Sequence, residues 1–575
     1  PFYAGTYFPS EERHGMPSFR RILTAVSDAW QERRDEVVES AASITASIAS
    51  SDVLEAADGI DAREVTRDAA ALTLTQAWDR VHGGFGRAPK FPQAMTITWL
   101  IARYDRTGDD AALAAAVQAL DEMGRGGIND LLAGGFARYS TDARWLVPHF
   151  EKMLYDNALL LPAYALAASR TGEAALARMA EETAGFLLDG FGTKDATFVA
   201  AFDADTDGVE GATYVWSAAE LHEVVVSAGH DAELFATFLG VSEAGNWEHT
   251  NVLHEPTPRD AFARARDIEP DAFDRDWAQV RTALRAHRDR RPQPGVDDKV
   301  LTDWNGLAIR GLVIAGRAMR RLDWIAAAER AANWLHEHAA HPDGAASLRV
   351  RHTLGVDGFL EDHANLALAD LELFAATGEI AHFERALALA VSADARFADP
   401  VGGWFQTSSD GEQLIARPKE SWDNATPAGT SVMLEVCRRL YALTGDARWW
   451  ESSERALRLV VEPARRMPTG FGAVLRQLEE LAAGTIEIVI VGEPGEERDA
   501  LERAALDAHH PAALVIVSSP DHGDRVPLLA HRGPVEGRPA AYVCRDMACE
   551  RPVTDPAELA GLLDRAVTDP RTAAL

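Results

Sequence analysis

The sequence predicts a mainly α-helical fold, an (α/α)6 toroid of six helical hairpins, followed by a small α/β segment. Three observations predict it. From about residue 62 onward, Ala- and Leu-rich stretches with helical spacing alternate with loops of Gly, Pro, Trp and acids. Short links such as Thr107-Gly108-Asp109 and Thr444-Gly445-Asp446 alternate with long ones, and short links make neighbouring helices antiparallel. The long links repeat one motif, Gly83-Gly84-Phe85, Gly134-Gly135-Phe136 and Gly402-Gly403-Trp404, each ahead of an inner-type helix. A repeat of about fifty residues, one hairpin per unit, is how a ring of helices reads in sequence. An irregular α-solenoid is the alternative, but it rarely needs long aromatic loops at alternate joints.

Taken in order, residues 1–50 give a short aromatic strand, a Gly/Pro turn and a long helix. That helix carries an apolar stripe of Phe19, Ile22, Leu23, Val26 and Trp30, which needs a partner surface. Residues 51–61 read as a linker. The barrel spans 62–484, with helices expected near 64–80, 93–106, 109–124, 149–170, 173–189, 217–227, 273–289, 304–320, 322–340, 362–377, 380–397, 426–443 and 447–462. In 485–575 the β-branched runs Ile486–Val491 and Ala513–Val517 flank a helix near 496–508, a βαβ-like appendage.

The 575 residues carry a formal charge of −32, spread along the chain. Such a surface repels phosphate backbones and anionic lipid, so neither nucleic acid nor membrane is expected as a partner. No run is long and apolar enough to span a bilayer. Three cysteines make no disulfide framework, and a cytoplasmic location is expected. Cys544 and Cys549 read as ordinary thiols or a reducible pair, and Cys437 as core.

The densest segment runs from Trp145 to Asn157. Pro148 suits a helix start. A helix from there places His149, Lys152 and Asp156 on one stripe, with Glu151 and Tyr155 beside it. Titratable groups one turn apart tune each other, so His149, Glu151 and Asp156 are candidate catalytic groups. Asp203-Ala204-Asp205-Thr206-Asp207-Gly208 opens like a calcium loop, but Tyr214 stands where the twelfth-position Glu belongs. Asp203 and Asp205 are instead candidate pocket-lining residues.

Three further loops place carboxylates beside an aromatic at a helix start. They supply Asp303, Trp304 and Asn305; Glu361, Asp362 and His363; and Trp422 and Asp423. An acid at an N-cap is common for reasons of capping alone. A neighbouring Trp is not part of that requirement. Aromatic faces beside paired carboxylates suit sugar rings, whose C–H faces stack while acids move protons. Asp303, Glu361, Asp362, His363 and Asp423 are therefore candidate catalytic residues. Trp145, Tyr155, Trp304, Asn305, Trp404 and Trp422 are candidate sugar-binding residues. No phosphate loop, HExxH or GxSxG occurs, and neither cofactor nor metal is expected.

Several of these strings carry a resemblance. Gly5-Thr6-Tyr7-Phe8-Pro9, Pro148 to Asp156, Asp203-Ala204-Asp205, Asn251-Val252-Leu253, Asp297 to Thr302 with Trp304-Asn305-Gly306, and Leu360-Glu361-Asp362 resemble the YyaL, or spermatogenesis-associated protein 20, family. The resemblance covers nearly the whole chain. It implies a thioredoxin-like domain fused to a six-hairpin glycosidase-like barrel. It also implies that residues 1–50 are the last strand and terminal helix of that domain, with the Cys-x-x-Cys-type segment upstream of Pro1. The expected function is a carbohydrate-active barrel, a sugar epimerase or a glycoside hydrolase-like enzyme. The alternative is a client- or sugar-binding protein whose thiol chemistry lies in the thioredoxin-like part.

Overall fold

The computed structural model describes residues 3–5, 7–13, 15–51, 55–342, 348–353, 355–412, 414–519 and 522–568. Two helices, α1 (Phe19–Glu32) and α2 (Arg34–Ser51), come first. The ring begins with α3 (Ala62–Leu72), α4 (Ala94–Thr107), α5 (Asp110–Arg125), α6 (Leu154–Thr171) and α7 (Ala174–Phe186). An insertion follows, with α8 (Ala218–Ser227), α9 (Ala232–Phe238), α10 (Arg259–Arg264) and α11 (Pro270–Arg288). The ring resumes with α12 (Thr302–Met319), α13 (Leu322–His338), α14 (Leu360–Thr377), α15 (Ile380–Phe397), α16 (Gly429–Thr444), α17 (Ala447–Arg466) and α18 (Gly472–Ala483).

The short links turn as their residues dictate. Helices α4, α6, α14 and α16 each end on a glycine in the left-handed region, Gly108, Gly172, Gly378 and Gly445. Asp109 and Asp446 then cap the returning helices, accepting from Ala112 N–H and Arg448 N–H. Each hairpin thus has an inner and an outer arm. The inner helices α4, α6, α12, α14, α16 and α18 pack each on the next, and α18 packs back on α4 to close the ring. Outer helices α5, α7, α13, α15 and α17 cover their hairpin partners, and α3 packs on α17 and α18.

The inner helices are buried on most of their faces because both sides are covered. In α14 every residue from Asp362 to Ala375 is buried. All six inner helices run the same way, so their N-termini share one mouth.

The helices expected at 217–227 and 273–289 form, but not in the ring. They belong to the insertion, which has its own core around Trp216, Leu221, Phe235, Phe238, Phe273, Trp277 and Leu284. The place in the ring is taken by α18, which follows the irregular stretch Pro468–Phe471. The stripe on α1 meets no core: no residue of that helix is buried. Asp52, Val53 and Leu54 of the expected linker lie outside the described residues.

The C-terminal segment is a four-stranded sheet in the order Ala513–Ser518, Ile486–Val491, Ala540–Arg545, Ala548–Cys549. Its first two strands are parallel, joined by α19 (Glu496–Asp507), and α20 (Pro556–Thr568) packs on α19. The strand Ala513–Ser518 lies against α14. Cys544 and Cys549 face each other across a hairpin and form a disulfide, not two ordinary thiols. Cys437 is buried in α16. Among the described residues no helix is long and apolar enough to cross a membrane.

Candidate functional site

The segment before α6 corrects one expectation. Helix α6 starts at Leu154, not at His149. Pro148–His149 pairs with Tyr139–Ser140, and Lys152–Met153 pairs with Ala201–Phe202, so the stretch is extended. The buried Lys152 dictates this. Its ammonium donates to Asp130 (2.8 Å) and to the Gly134 carbonyl (3.0 Å), while Arg288 holds the other Asp130 oxygen (2.7 Å). A lysine fixed that way faces the wall, so His149, Lys152 and Asp156 share no helical stripe.

His149 instead lies at the rim. Its ring stacks on Tyr139 at 5.1 Å, Nδ1 is 2.7 Å from Glu210 Oε1, and Nε2 is 3.6 Å from Glu151. Glu151 pairs with Arg138 at 3.0 Å. Below them, in the first turn of α6, Asp156 is buried and its Oδ2 has no hydrogen-bond partner. Burial pushes its carboxyl well above the usual range, with Arg138 opposing and Glu151 reinforcing the shift.

A second group lies at the starts of α12 and α14. Asp362 is fully buried and accepts from Phe359 N–H (2.8 Å) and Asp303 N–H (3.1 Å), which ties the two helix starts together. His352, on the strand Leu348–Thr353, donates from Nδ1 to Asp362 at 3.0 Å and lies 3.9 Å from Asp303. The bond to Asp362 raises the imidazole above its ordinary value. Burial and the adjacent Asp362 push Asp303 up to about 7, with His352 holding it back. Burial pushes Glu361 up to about 8, with Glu420, Asp362 and Asp303 adding repulsion. Its Oε1 is buried without a partner, and a Cβ on Gly429 would come within 2.8 Å of it. Tyr155 joins the two groups, meeting Trp304 edge-on at 4.8 Å. Asp423 closes the set beyond Glu420. It accepts from Ala428 N–H (3.1 Å) and Ala473 N–H (2.8 Å), and burial lifts it to about 6.

Other expected residues serve the wall. Trp145 is fully buried behind Gly84, its indole N–H donating to the His82 carbonyl at 3.0 Å. Trp404 is buried as well. Trp422 is half-exposed and stacks on Phe471 at 5.6 Å. Asp203 and Asp205 are exposed, at the base of a hairpin closed by Asp207 and Gly208, both at positive φ. That hairpin delivers Glu210 to His149.

Asn305 and His363 are clamps. Asn305 accepts from Phe198 N–H (2.9 Å) and donates to Phe198 and Leu301 carbonyls (3.0 and 2.9 Å). Asn157 in α6 does the same to Phe136 and Met153. His363 repeats the pattern in α14, with Nδ1 on the Phe359 carbonyl (2.9 Å) and Nε2 accepting from Val350 N–H (3.4 Å). Each is the fourth residue of its inner helix, and each holds the incoming loop. The repeat leaves the second residues of these helices, Tyr155, Asp303 and Glu361, as the groups that meet at the mouth.

Sequence reasoning missed His352, Arg138 and Glu210, which sit on short strands or loops and whose side chains meet Asp362, Glu151 and His149 on other elements. Asp303, His352 and Asp362 bring one ligand atom each within 4.8 Å, the arrangement a cation needs. Yet both Asp362 oxygens already accept backbone N–H groups, and His352 donates to one of them. That donor set suits proton movement better than metal ligation.

Residues 1–49 match the family model Thioredox_DsbH, described as a protein of unknown function, DUF255. Among solved structures, the chain is similar to a sugar epimerase from a ruminal bacterium (12% identical, TM-score 0.30, covering 64% of this chain and 92% of that one). It is also similar to the Lin0763 protein from Listeria innocua (11% identical, TM-score 0.40, covering 72% and 96%). Among curated proteins, it is similar to spermatogenesis-associated protein 20 of Mus musculus and of Homo sapiens, each 30% identical over 98% of this chain, covering 77% and 78% of theirs. An uncharacterized protein of Caenorhabditis elegans is 28% identical over 98% of this chain and 82% of its own length.

Proposed function

The chain belongs to the spermatogenesis-associated protein 20 family, and from that premise we propose that its barrel mouth is an acid–base site acting on a small carbohydrate. The observation that carries the reading is the pair Asp303 and Glu361. Both are second residues of neighbouring inner helices, and their carboxyls are lifted to about 7 and about 8. Near neutral pH the two sit in different states: Glu361 holds its proton and Asp303 is poised to release its own. A general acid beside a general base is what cleavage of a glycosidic bond requires. Asp362 and His352 position Asp303, and Trp304 with Tyr155 supplies an aromatic wall for a sugar ring.

Proton shuttling by two histidines, as an epimerase-type reaction would use, is less well supported. His363 is occupied by its two clamp bonds, and His149 is turned to Glu210. The glycosidase-like form of the reading is therefore preferred.

The deciding experiment presents the intact protein with a panel of disaccharides and aryl glycosides and follows released sugar by NMR in D2O. The same spectra report C2–H exchange, the mark of epimerisation. Hydrolysis lost in both Asp303→Asn and Glu361→Gln supports the reading. Turnover that survives in both variants ends it.

A second reading, a binding protein linked to thiol chemistry, draws on the match of residues 1–49 to a thioredoxin-like family. The chain's three cysteines include no Cys-x-x-Cys pair, so under that reading insulin reduction by this chain stays at the uncatalysed rate.

A further inference from the structure

Below the mouth the barrel lumen opens into a cavity of about 280 Å³. Its upper end touches the inner-helix starts at Ala94, Pro427 and Ala473, and its floor is the C-terminal segment at Thr485 and Pro511 to Leu514. The wall between is ionic. Arg310 from α12, Glu372 from α14, Glu435, Arg438 and Arg439 from α16, and Arg476 and Glu480 from α18 all line it. The lining thus holds four guanidinium groups and three carboxylates, one positive charge in excess.

The carboxylates are mostly spent on the wall itself. Glu435 accepts from Arg310 (2.6 Å), from Arg439 (2.9 Å) and from Arg476. Glu372 accepts from Arg439 (2.7 Å), and Glu480 from Arg438 (3.1 Å) and Arg476. Three of the four guanidinium groups are more open than the glutamates they share: Arg310, Arg439 and Arg476 are 17%, 20% and 21% exposed, against 8% for Glu372 and 4% for Glu435, while Glu480 (15%) is more open than Arg438 (10%). All four arginines line the cavity. Arg310 Nε makes no close hydrogen bond and lies 3.5 Å from Glu372 Oε1. Burial pulls Arg310 and Arg438 below the ordinary guanidinium value, whereas Arg439 and Arg476, equally buried, are held above it by their glutamates.

We propose that this cavity binds an oxyanion carried by a monosaccharide-sized ligand, the carboxylate of a sugar acid or the phosphate of a sugar phosphate. The forked N–H groups of arginine match either anion, and an uncompensated buried charge is costly until one arrives. The volume lies at the small end of ligand pockets, which excludes a long chain. The inference deepens the carbohydrate reading by naming a substrate class. It rests on the barrel being a ligand site, but not on turnover at the mouth.

Isothermal calorimetry of the intact protein near pH 7 tests it with D-glucuronate, D-glucose 6-phosphate, D-glucose and inorganic phosphate. At least one charged sugar is expected to bind ten or more times tighter than glucose, and the stronger of the two identifies the anion. Phosphate binding with neither charged sugar preferred over glucose overturns the assignment of a monosaccharide-sized ligand. Arg439→Gln is expected to weaken the anion at least tenfold, and Glu480→Gln, which removes a competing negative charge, to strengthen it. Should Arg439→Gln fail to fold, Glu480→Gln still decides by the sign of its effect. Asp303→Asn is expected to keep anion binding, so a failed mouth mechanism and a failed anion site give different results. Equal affinity for glucose and the charged sugars, no binding of any probe, or weaker binding in Glu480→Gln overturns the proposal.

Discussion

Glu361 shows how much one residue's surroundings decide. Its ordinary value is 4.5, and burial lifts it to about 8. Between those values the unfolded chain has released the proton while the folded chain keeps it. Folding stability therefore falls as pH rises across that window and is fully present only below it. Glu361→Gln keeps the shape of the protonated acid without the titration. It is expected to unfold like the native protein near pH 4.5 and to be more stable at pH 8 by roughly 2–4 kcal/mol. Thermal melts at the two pH values check this, and equal slopes for both proteins would count against a protonated Glu361. The same pair sets the rate profile. With Asp303 ionised and Glu361 protonated as the working form, kcat/KM rises through about 7 and falls through about 8. His352 holds Asp303 down, so His352→Gln is expected to move the acidic limb to higher pH. The sequence showed Asp303 and Glu361 as acids beside aromatics, but not His352, which reaches Asp362 from a strand with no motif of its own.

At the scale of elements, the clamps explain what the motifs around Phe136, Phe198 and Val350 are for. Gly135 sits at φ 82 with no room for a Cβ, which would fall 2.1 Å from the Phe186 ring. The turn delivers Phe136 N–H to Asn157 at 2.7 Å. Cutting a clamp leaves that buried N–H without an acceptor. Asn157→Ala and Asn305→Ala are each expected to cost about 1–3 kcal/mol. His363→Ala is expected to cost the same, with His363→Asn recovering part of the loss because asparagine fills this position in the other two helices. Urea unfolding of the four variants tests it, and a neutral His363→Ala would mean the histidine is not a clamp. The six-hairpin rhythm was legible because Thr-Gly-Asp links and apolar periodicity are local signals. The start of α6 was not. Pro148 has the chemistry of a first helical residue, and only pairing with Tyr139–Ser140 and Ala201–Phe202 reveals the stretch as extended. Asparagine and histidine four residues into a helix likewise look like polar decoration until their loops are in place.

At the scale of the whole molecule, the ring must close between its first and last hairpins, and the sequence carries no mark of that seam. Helix α18 follows Pro468 to Phe471 and is absent from the helices expected for the barrel, yet it supplies Glu479, whose side chain is fully buried. Glu479 pairs with Arg106 and lies 3.4 Å from Arg103, both on α4. Arg106 also donates to Thr66 Oγ1 (3.2 Å) on α3, and Arg63 donates to the Ala482 carbonyl at 3.2 Å. The closure is thus a clasp of two cations on one buried anion, backed by helix packing. Replacing the anion takes the carboxylate from Arg106, while Arg103 keeps Asp109 at 2.9 Å, and breaking such a buried pair typically costs about 3–5 kcal/mol. Because the seam joins only the ends of the ring, the damage is expected to be local before it is global. Glu479→Gln is expected to speed amide exchange in Ala94–Thr107 and Gly472–Ala483 while leaving Thr302–Met319 and Leu360–Thr377 protected. Exchange that rises uniformly around the six inner helices would show that the barrel opens as one unit, with no weak point at its closure.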